Sequence, residues 1–142
     1  MNETICPLLP KISYDVAPFW QGCRERRLLF QRCSDCGHIR YPASLVCPEC
    51  LSATCEWIES KGEGRIYSFV VFHRAFHQSM AGRIPYVVAV VELDEGPSFL
   101  TNIVGCVSTQ VRCDQRVQLK WEEVADGLSL PVFGISDWEG KA

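Results

Sequence analysis

Two pairs of cysteines constrain this 142-residue chain more than any other feature of its sequence. Cys33 and Cys36 form one Cys-x-x-Cys pair, and Cys47 and Cys50 form a second, with ten residues between Cys36 and Cys47. Each pair places two sulfur atoms on one side of a tight turn, and two such turns can enclose one tetrahedral ion. The spacing therefore predicts a metal site with Cys33, Cys36, Cys47 and Cys50 as its ligands.

Zinc is the ion that this spacing favours, and iron in a rubredoxin-like site stays open because thiolates bind both metals. His38 could replace a thiolate, although four cysteines already complete a tetrahedral site. Such a site leaves no position for water, so we expect a structural rather than a catalytic metal. Disulfides are the weaker alternative, because nine cysteines cannot all pair within one chain.

The other five cysteines show no spacing typical of metal ligands, and we expect them to be small packing residues. The sequence starts without the cationic and apolar segments of a secretory signal, and its longest apolar run, 86–91, is far shorter than a membrane span. We therefore expect a cytoplasmic chain with no membrane partner. The five cysteines are Cys6, Cys23, Cys55, Cys106 and Cys113.

Beyond the second cysteine pair, the pattern is typical of short strands separated by turns. Apolar and polar residues alternate at 116–124, and Asp94-Glu95-Gly96-Pro97 and Asp126-Gly127 are turn sequences. Five to six such strands predict a small barrel. An amphipathic helix is expected near 18–27. The expected strands are 28–32, 56–60, 65–74, 86–93, 98–106, 116–124 and 128–135.

Several short motifs follow one another along residues 17–134. They are PFWQG at 18–22, LLFQRC at 28–33, CPEC at 47–50, GEGRIYSF at 62–69, PYVVAVVELDEG at 85–96 and LTNIVG at 100–105. The same order of motifs resembles that of the DUF35 proteins. The sequence departs from the family at Leu51-Ser52, where many relatives have Gly-Ser, and at Cys55, near a usual Leu.

The resemblance implies a mainly β chain in three parts. They are an N-terminal helical segment (1–30), a rubredoxin-like zinc ribbon (31–55) and a C-terminal OB-fold barrel (56–142). It also implies a non-catalytic subunit associated with acyl-CoA, beside a thiolase-family enzyme that cleaves or forms carbon–carbon bonds at CoA thioesters. A MaoC-like enoyl-CoA hydratase is the alternative partner. The implied cofactors are structural zinc and a coenzyme A thioester held as substrate.

The loop at 73–84 is the candidate for binding the acyl-CoA, because the corresponding loop of an OB-fold borders its ligand face. Guanidinium groups bind phosphate oxygens well, and an exposed phenylalanine can stack on adenine. A solvated hairpin loop is the alternative interpretation of each single residue. The candidate residues are His73, Arg74, Phe76, His77 and Arg83.

The helix near 18–27 is the candidate for a partner interface, because tryptophan and arginine are favoured anchors at interfaces. The alternative is a solvated helix face with a buried edge. Strand 86–93 adds to the interface prediction, because Tyr86, Val88 and Val90 are apolar on the side away from the barrel interior. The helical candidates are Phe19, Trp20, Arg24 and Arg27.

A single-stranded nucleic acid is an alternative partner of a different class, because zinc ribbons and OB-folds both bind nucleic acids. Residues 51–142 hold eight Lys and Arg against twelve Asp and Glu, a net charge of −4. This acidic balance disfavours binding to phosphate backbones, and we expect no nucleic-acid partner.

Overall fold

A computed structural model describes residues 16–78, 81–125 and 127–136, with the backbone alone at Ala125. Cys6 and the first 15 residues of the expected helical segment lie outside this part of the chain. The described residues are mainly β, as predicted. They form α1 (Ala17–Arg24), β1 (Leu29–Cys33), β2 (Ile39–Arg40), β3 (Cys55–Glu59), β4 (Glu63–Phe72), β5 (Tyr86–Leu93), β6 (Ser98–Val104), a 3₁₀ helix (Ser108–Gln110), β7 (Arg116–Ala125) and β8 (Leu128–Ile135).

Helix α1 is shorter than the sequence pattern predicts, because the chain turns sharply after Arg24. Arg26 adopts a φ of 60°, and the amide of Arg27 donates to the carbonyl of Gly22 at 2.7 Å. A Cβ on Gly22 would lie 2.7 Å from the carbonyl oxygen of Arg27, so this close turn requires glycine. Arg27 therefore lies beyond the helix, in the connection to β1.

A three-stranded antiparallel sheet in the order β2-β1-β3 carries the cysteine pairs. The register pairs Cys33 with Cys55 and Leu29 with Glu59. Residues 56–59 thus belong to the ribbon sheet, and β1 begins before residue 31. The boundaries expected at 30/31 and 55/56 both fall within strands of this sheet. The two-residue strand β2 was not anticipated from the sequence, since it is too short to show a period.

Five strands close into a barrel in the order β4-β5-β6-β8-β7, with β7 pairing back onto β4. The β6 and β8 strands are parallel, and the other neighbours are antiparallel. This is the five-stranded arrangement of an OB-fold, which the resemblance implied. The prediction for β5 is confirmed in detail, because Val87, Ala89, Val91 and Leu93 are all buried.

An aromatic cluster joins the helix, the ribbon and the barrel into one core. Tyr41 beside the ribbon lies 4.6 Å from Phe99 of the barrel and 5.5 Å from Phe19 of α1, measured between ring centroids. Phe30 of β1 lies 6.2 Å from Phe99, which is also 6.2 Å from Phe133 of β8. These contacts fix the ribbon and the helix against one end of the barrel.

Candidate metal centre and binding surfaces

The four paired cysteines converge on one point of the ribbon. Their Sγ atoms all lie within 4.8 Å of one another. The Cys33 and Cys50 sulfurs are 3.5 Å apart, and the Cys36 and Cys47 sulfurs are 3.6 Å apart. Zn–S bonds of about 2.3 Å would place the sulfurs of a tetrahedral site about 3.8 Å apart. The donor set and its dimensions therefore fit a four-coordinate zinc ion.

Two equivalent turns aim backbone amides at the sulfurs. The amide of Asp35 donates to Cys33 Sγ and the amide of Glu49 donates to Cys47 Sγ, each at 3.4 Å. The amide of Cys36 also donates to Cys33 Sγ and lowers the pKa of Cys33 to about 6. Hydrogen bonds to the charged form favour a thiolate, which is the form that binds a metal.

The four thiols could not all ionise without a cation between them. At Cys50 a hydrogen bond from the Ser52 amide lowers the pKa of the thiol. Hydrogen bonds with the neighbouring thiols, Cys33 foremost, outweigh this effect, and the pKa is raised to about 12. A divalent ion removes this repulsion by binding all four sulfurs as thiolates. Cys33, Cys36, Cys47 and Cys50 would hold zinc in a closed site, where it supplies cross-linking and no open coordination position.

The remaining described cysteines are dispersed through the fold. Cys23 is fully buried in α1, and burial raises the pKa of its thiol to about 12. Cys55 and Cys106 are half-buried, and Cys113 is exposed. In the described part of the chain these thiols form no second metal-binding cluster and no disulfide. Cys23 therefore acts as a packing residue, as the sequence analysis expected.

The loop between β4 and β5 presents two of its candidate residues as an exposed pair. The Arg74 guanidinium lies over the Phe76 ring, 5.2 Å from its centroid, and Phe76 is 70% exposed. The Phe76 ring also meets Phe72 edge-on at 5.9 Å, and Phe72 stacks on Tyr86 at 5.1 Å. This arrangement offers an aromatic face beside a cation.

The other three candidates of this loop are less closely grouped. His73 is exposed and His77 is half-buried. The Arg83 Nη2 atom lies 2.5 Å from Glu122 Oε2 of β7, which neutralises its charge locally. Arg83 also lines a cavity of about 170 Å³ together with Tyr86.

The candidate interface on the helix divides between core and surface. Phe19 is 5% exposed and meets Trp20 edge-on at 5.1 Å, so it supports the surface from beneath. Trp20 is half-buried, whereas Arg24 and Arg27 are exposed. The Arg24 Nη1 atom donates to the carbonyl of Gly127 at 3.2 Å. The Arg27 Nε atom lies 3.1 Å from Glu59 Oε1, which ties the turn after α1 to β3.

An apolar outer face runs across β4, β5 and β6. Val70 is 55% exposed and pairs with Val88, while Leu100 is 65% exposed and pairs with Val90. The helix packs against β1 and β8. Within the described residues these main contacts of α1 do not include β5, and the helix was one of the two covers that the sequence analysis considered for its outer side; Tyr86, Val88 and Val90 are half-buried there. The described part of the chain also contains no helix with the length and apolar character needed to cross a bilayer.

A cleft of about 680 Å³ was not anticipated from the sequence. It lies between the end of β6, the segment with the 3₁₀ helix, and strands β7 and β8. Arg112 and Lys120 contribute its positive charges. The sequence pattern at 107–115 indicated only a polar turn or short helix, and nothing in it links these residues to Lys120 or Gly134.

The fold and the cysteine site together define a zinc-ribbon protein with an OB-fold barrel. Residues 20–56 match the family model described as "ChsH2, rubredoxin-like zinc ribbon domain", and residues 57–122 match "ChsH2, C-terminal OB-fold domain". A solved structure described as "Ltp2-ChsH2(DUF35) aldolase" superposes with a TM-score of 0.83 and 38% identity, over 89% of this chain and 98% of the other.

Curated relatives carry the same family name. A "DUF35 domain-containing scaffold protein" of Methanocaldococcus jannaschii is 31% identical over 109 residues, which are 75% of this chain and 77% of that protein. The chain belongs to the DUF35 family.

Two further relatives are named as enzyme subunits. A "Probable enoyl-CoA hydratase alpha subunit" of Thermomonospora curvata is 39% identical over 87% of this chain, which spans only 38% of that protein's length. The "Benzoylsuccinyl-CoA thiolase subunit BbsA" of Thauera aromatica is 27% identical over 67% of this chain and 63% of that protein.

Proposed function

We propose that this chain is a non-catalytic subunit of a heteromeric enzyme that acts on acyl-CoA thioesters. Its partner is a thiolase- or aldolase-type enzyme, which supplies the reacting groups for carbon–carbon bond cleavage or formation. The chain stabilises that enzyme and completes its acyl-CoA site. One observation carries the proposal: the described fold matches, over nearly its whole length, the chain in the structure described as "Ltp2-ChsH2(DUF35) aldolase".

The rigidity of the molecule supports a scaffolding role. The closed cysteine site offers structural cross-linking, and the aromatic cluster holds the ribbon and helix against the barrel. Such a fixed unit can present two surfaces, that of α1 and that of the loop between β4 and β5, at a constant separation. The relative named as a thiolase subunit is consistent with this partner class.

The surface of α1 is the proposed contact with the enzyme. Trp20 stands on the buried ring of Phe19, so its orientation is fixed before binding. Arg24 and Arg27 flank it, and both keep exposed guanidinium groups. A rigid aromatic anchor with arginines beside it is typical of the residues that dominate interface energies.

Complex formation provides the test. The zinc-loaded chain is co-expressed with thiolase-type enzymes encoded in the same genome, and the complex is measured by size-exclusion chromatography and mass spectrometry. We expect Trp20→Ala to weaken the complex at least tenfold. Trp121→Ala, another half-buried tryptophan, is the matched control and should change the affinity less than twofold. Absence of a complex with every thiolase-type candidate would refute the proposal.

The loop between β4 and β5 is the proposed contact with the acyl-CoA. Phe76 offers an exposed ring for adenine, and Arg74 beside it can meet a phosphate. In the assembled enzyme, Phe76→Ala and Arg74→Gln should each raise the KM for the acyl-CoA several-fold and leave kcat nearly unchanged. Unchanged KM in both variants would remove this loop from the site.

A MaoC-like hydratase is the second candidate partner. It is favoured by the relative named as a hydratase alpha subunit, whose sequence extends well beyond the region that this chain matches. The same co-expression experiment includes hydratase candidates from the genome. A stable complex that hydrates enoyl-CoA, without a complex with any thiolase-type enzyme, would establish the second function in place of the first.

A further inference from the structure

The cleft between the end of β6 and strands β7 and β8 has the size of a small-molecule site. Its volume of about 680 Å³ falls within the range of such sites, about 300 to 1,000 Å³. Hydroxyl and amide groups of Thr109 and Gln115 line it beside Arg112 and Lys120, while Ile135 supplies an apolar wall. The cleft is thus a mixed polar surface with two cations.

The charge of the cleft is positive although the whole chain carries a net charge of −3. Among the described residues that line it there is no carboxylate. In the described part of the chain, Arg112 and Lys120 form no ion pair, whereas Arg65, Arg83 and Arg116 each bind a carboxylate. Two cations on one concave wall, neither of them ion-paired within the described residues, attract an anion more strongly than isolated surface cations do.

The positions of the two cations are set by their surroundings. The Gln115 side chain accepts a hydrogen bond from the Arg112 amide at 2.7 Å and donates to the Gln110 carbonyl at 3.0 Å. These bonds hold the backbone that carries Arg112. The Lys120 side chain lies across Gly134, where an added Cβ would collide with the Lys120 Cε atom. Because residue 134 is glycine, the Lys120 side chain has room to pass over it into the cleft.

A second, smaller cavity lies beside the cleft. Val104 and Cys106 line both this cleft and the cavity of about 170 Å³ that contains Arg83 and Tyr86. The two cavities are therefore neighbours that share part of their walls.

We propose that this cleft is a phosphate-binding subsite for a nucleotide-like ligand, with Arg112 and Lys120 as its cationic contacts. Guanidinium and ammonium groups pair with phosphate oxygens through charge-assisted hydrogen bonds. The inference deepens the proposed function, on which it rests for the identification of the ligand as an acyl-CoA, since CoA carries a diphosphate and a phosphate monoester. The phosphate chemistry itself depends only on the cleft.

Calorimetric titration of the zinc-loaded full chain tests the subsite. The probes are adenosine 3′,5′-bisphosphate, inorganic phosphate and adenosine. The bisphosphate should bind at least about tenfold more tightly than adenosine, because adenosine lacks the charged groups. Inorganic phosphate separates the sources: affinity equal to that of the bisphosphate identifies a site for free phosphate, and weaker affinity identifies a nucleotide site.

Variants that each remove one positive charge test where the bisphosphate binds. Arg112→Gln and Lys120→Gln should each weaken bisphosphate binding by about five- to tenfold, as expected for the loss of one charge-assisted contact. Gly134→Ala should reproduce the Lys120→Gln effect with an unchanged melting temperature. Arg26→Gln and Lys61→Gln remove exposed cations that do not line the cleft, and they should change the affinity less than twofold.

Equal affinities in all these variants, or binding of adenosine as tight as that of the bisphosphate, would overturn the subsite. The two proposals fail separately. A chain that forms the enzyme complex but shows no dependence on Arg112 and Lys120 loses the subsite alone. A chain that binds the bisphosphate through these residues but assembles with neither enzyme class loses the proposed function alone.

Discussion

The ribbon and the barrel of this protein reach a fixed structure by different means. The ribbon sheet has two strands of five residues and one of two, and its metal site is built from two tight turns. The barrel has strands of seven to ten residues, and alternate side chains of β5 and β6 fill its interior. The comparison shows that thiolates bound to one ion can stabilise a short segment, as buried apolar area stabilises a longer one.

Metal removal should have the largest effect and should separate the two regions. Structural zinc contributes on the order of 10 kcal/mol to folding in small zinc modules. We expect a strong chelator, or Cys47→Ser, to expose the amides of β1 and β2 to hydrogen exchange while the amides of β5 stay protected. Mass spectrometry of exchange, with metal analysis of the untreated chain, measures this effect.

Simultaneous loss of protection in β1 and β5 would show instead that the aromatic cluster makes the ribbon and barrel one cooperative unit. A colourless preparation with one zinc per chain is expected, because the closed tetrathiolate site has no feature that requires iron.

Truncating a core side chain tests how much buried apolar area stabilises the barrel. Phe133 is fully buried, and Phe133→Ala should lower the free energy of unfolding by about 3 to 5 kcal/mol through lost contacts and a cavity. Leu100→Ala is the control on the outer face, where the side chain is 65% exposed, and should cost less than about 0.5 kcal/mol. Urea unfolding of the zinc-loaded chain measures both values, and equal effects would contradict the described orientation of these strands.

The two turns of the metal site allow a finer comparison. Gly37 and Leu51 occupy equivalent positions, with φ of 80° and 66°, and each donates its amide to the carbonyl of the first cysteine of its pair. Leucine in this region costs about 1 to 2 kcal/mol, whereas glycine adopts it freely. Leu51→Gly should therefore stabilise the ribbon by up to about 1 kcal/mol, because the larger entropy that glycine gives the unfolded chain offsets part of the relieved strain.

The mirror substitution is Gly37→Ala. It should destabilise the ribbon by about 1 kcal/mol through the positive φ alone, since a Cβ at this position meets no neighbour within 4 Å. Thermal unfolding of both variants beside the wild type gives the comparison. Shifts of the same sign would contradict the equivalence of the two turns.

The smallest effect concerns an ion pair on the barrel. Arg116 donates two hydrogen bonds to Asp94, at 3.0 and 2.9 Å, and lowers the pKa of that carboxyl. A lowered pKa contributes stability above the unfolded value of about 3.9, and this contribution disappears as the pH falls through the folded value. Because the pair is exposed, it should contribute less than about 1 kcal/mol.

Asp94→Asn is the variant that removes this titration. Its loss of stability relative to the wild type should be present at pH 7 and should vanish as the pH falls below the lowered pKa of Asp94, as measured by urea unfolding at several pH values. The difference at pH 7 should also shrink in 1 M salt. A constant difference at all pH values would mean that the asparagine disturbs the turn after β5 for another reason.

Local sequence patterns were sufficient for the parts of the fold that repeat over short distances. The cysteine spacing predicted which four sulfurs converge, and the alternation of β5 predicted which of its side chains are buried. The family resemblance implied the OB-fold, which the strand order confirms. Strand β2 escaped prediction because two residues carry no periodicity, and Phe19 was expected at a surface because its burial depends on Tyr41 and Phe99.

By itself, the sequence determined the metal-site chemistry, the mainly β class and the family, because each follows from residues close together along the chain. Only the tertiary structure decided which of the described cations form ion pairs. Arg83 pairs with Glu122 and Arg116 pairs with Asp94, whereas Arg112 and Lys120 pair with no carboxylate among the described residues. Charge compensation depends on distances between strands that are remote in sequence, so the candidate anion site appears only once the barrel has closed.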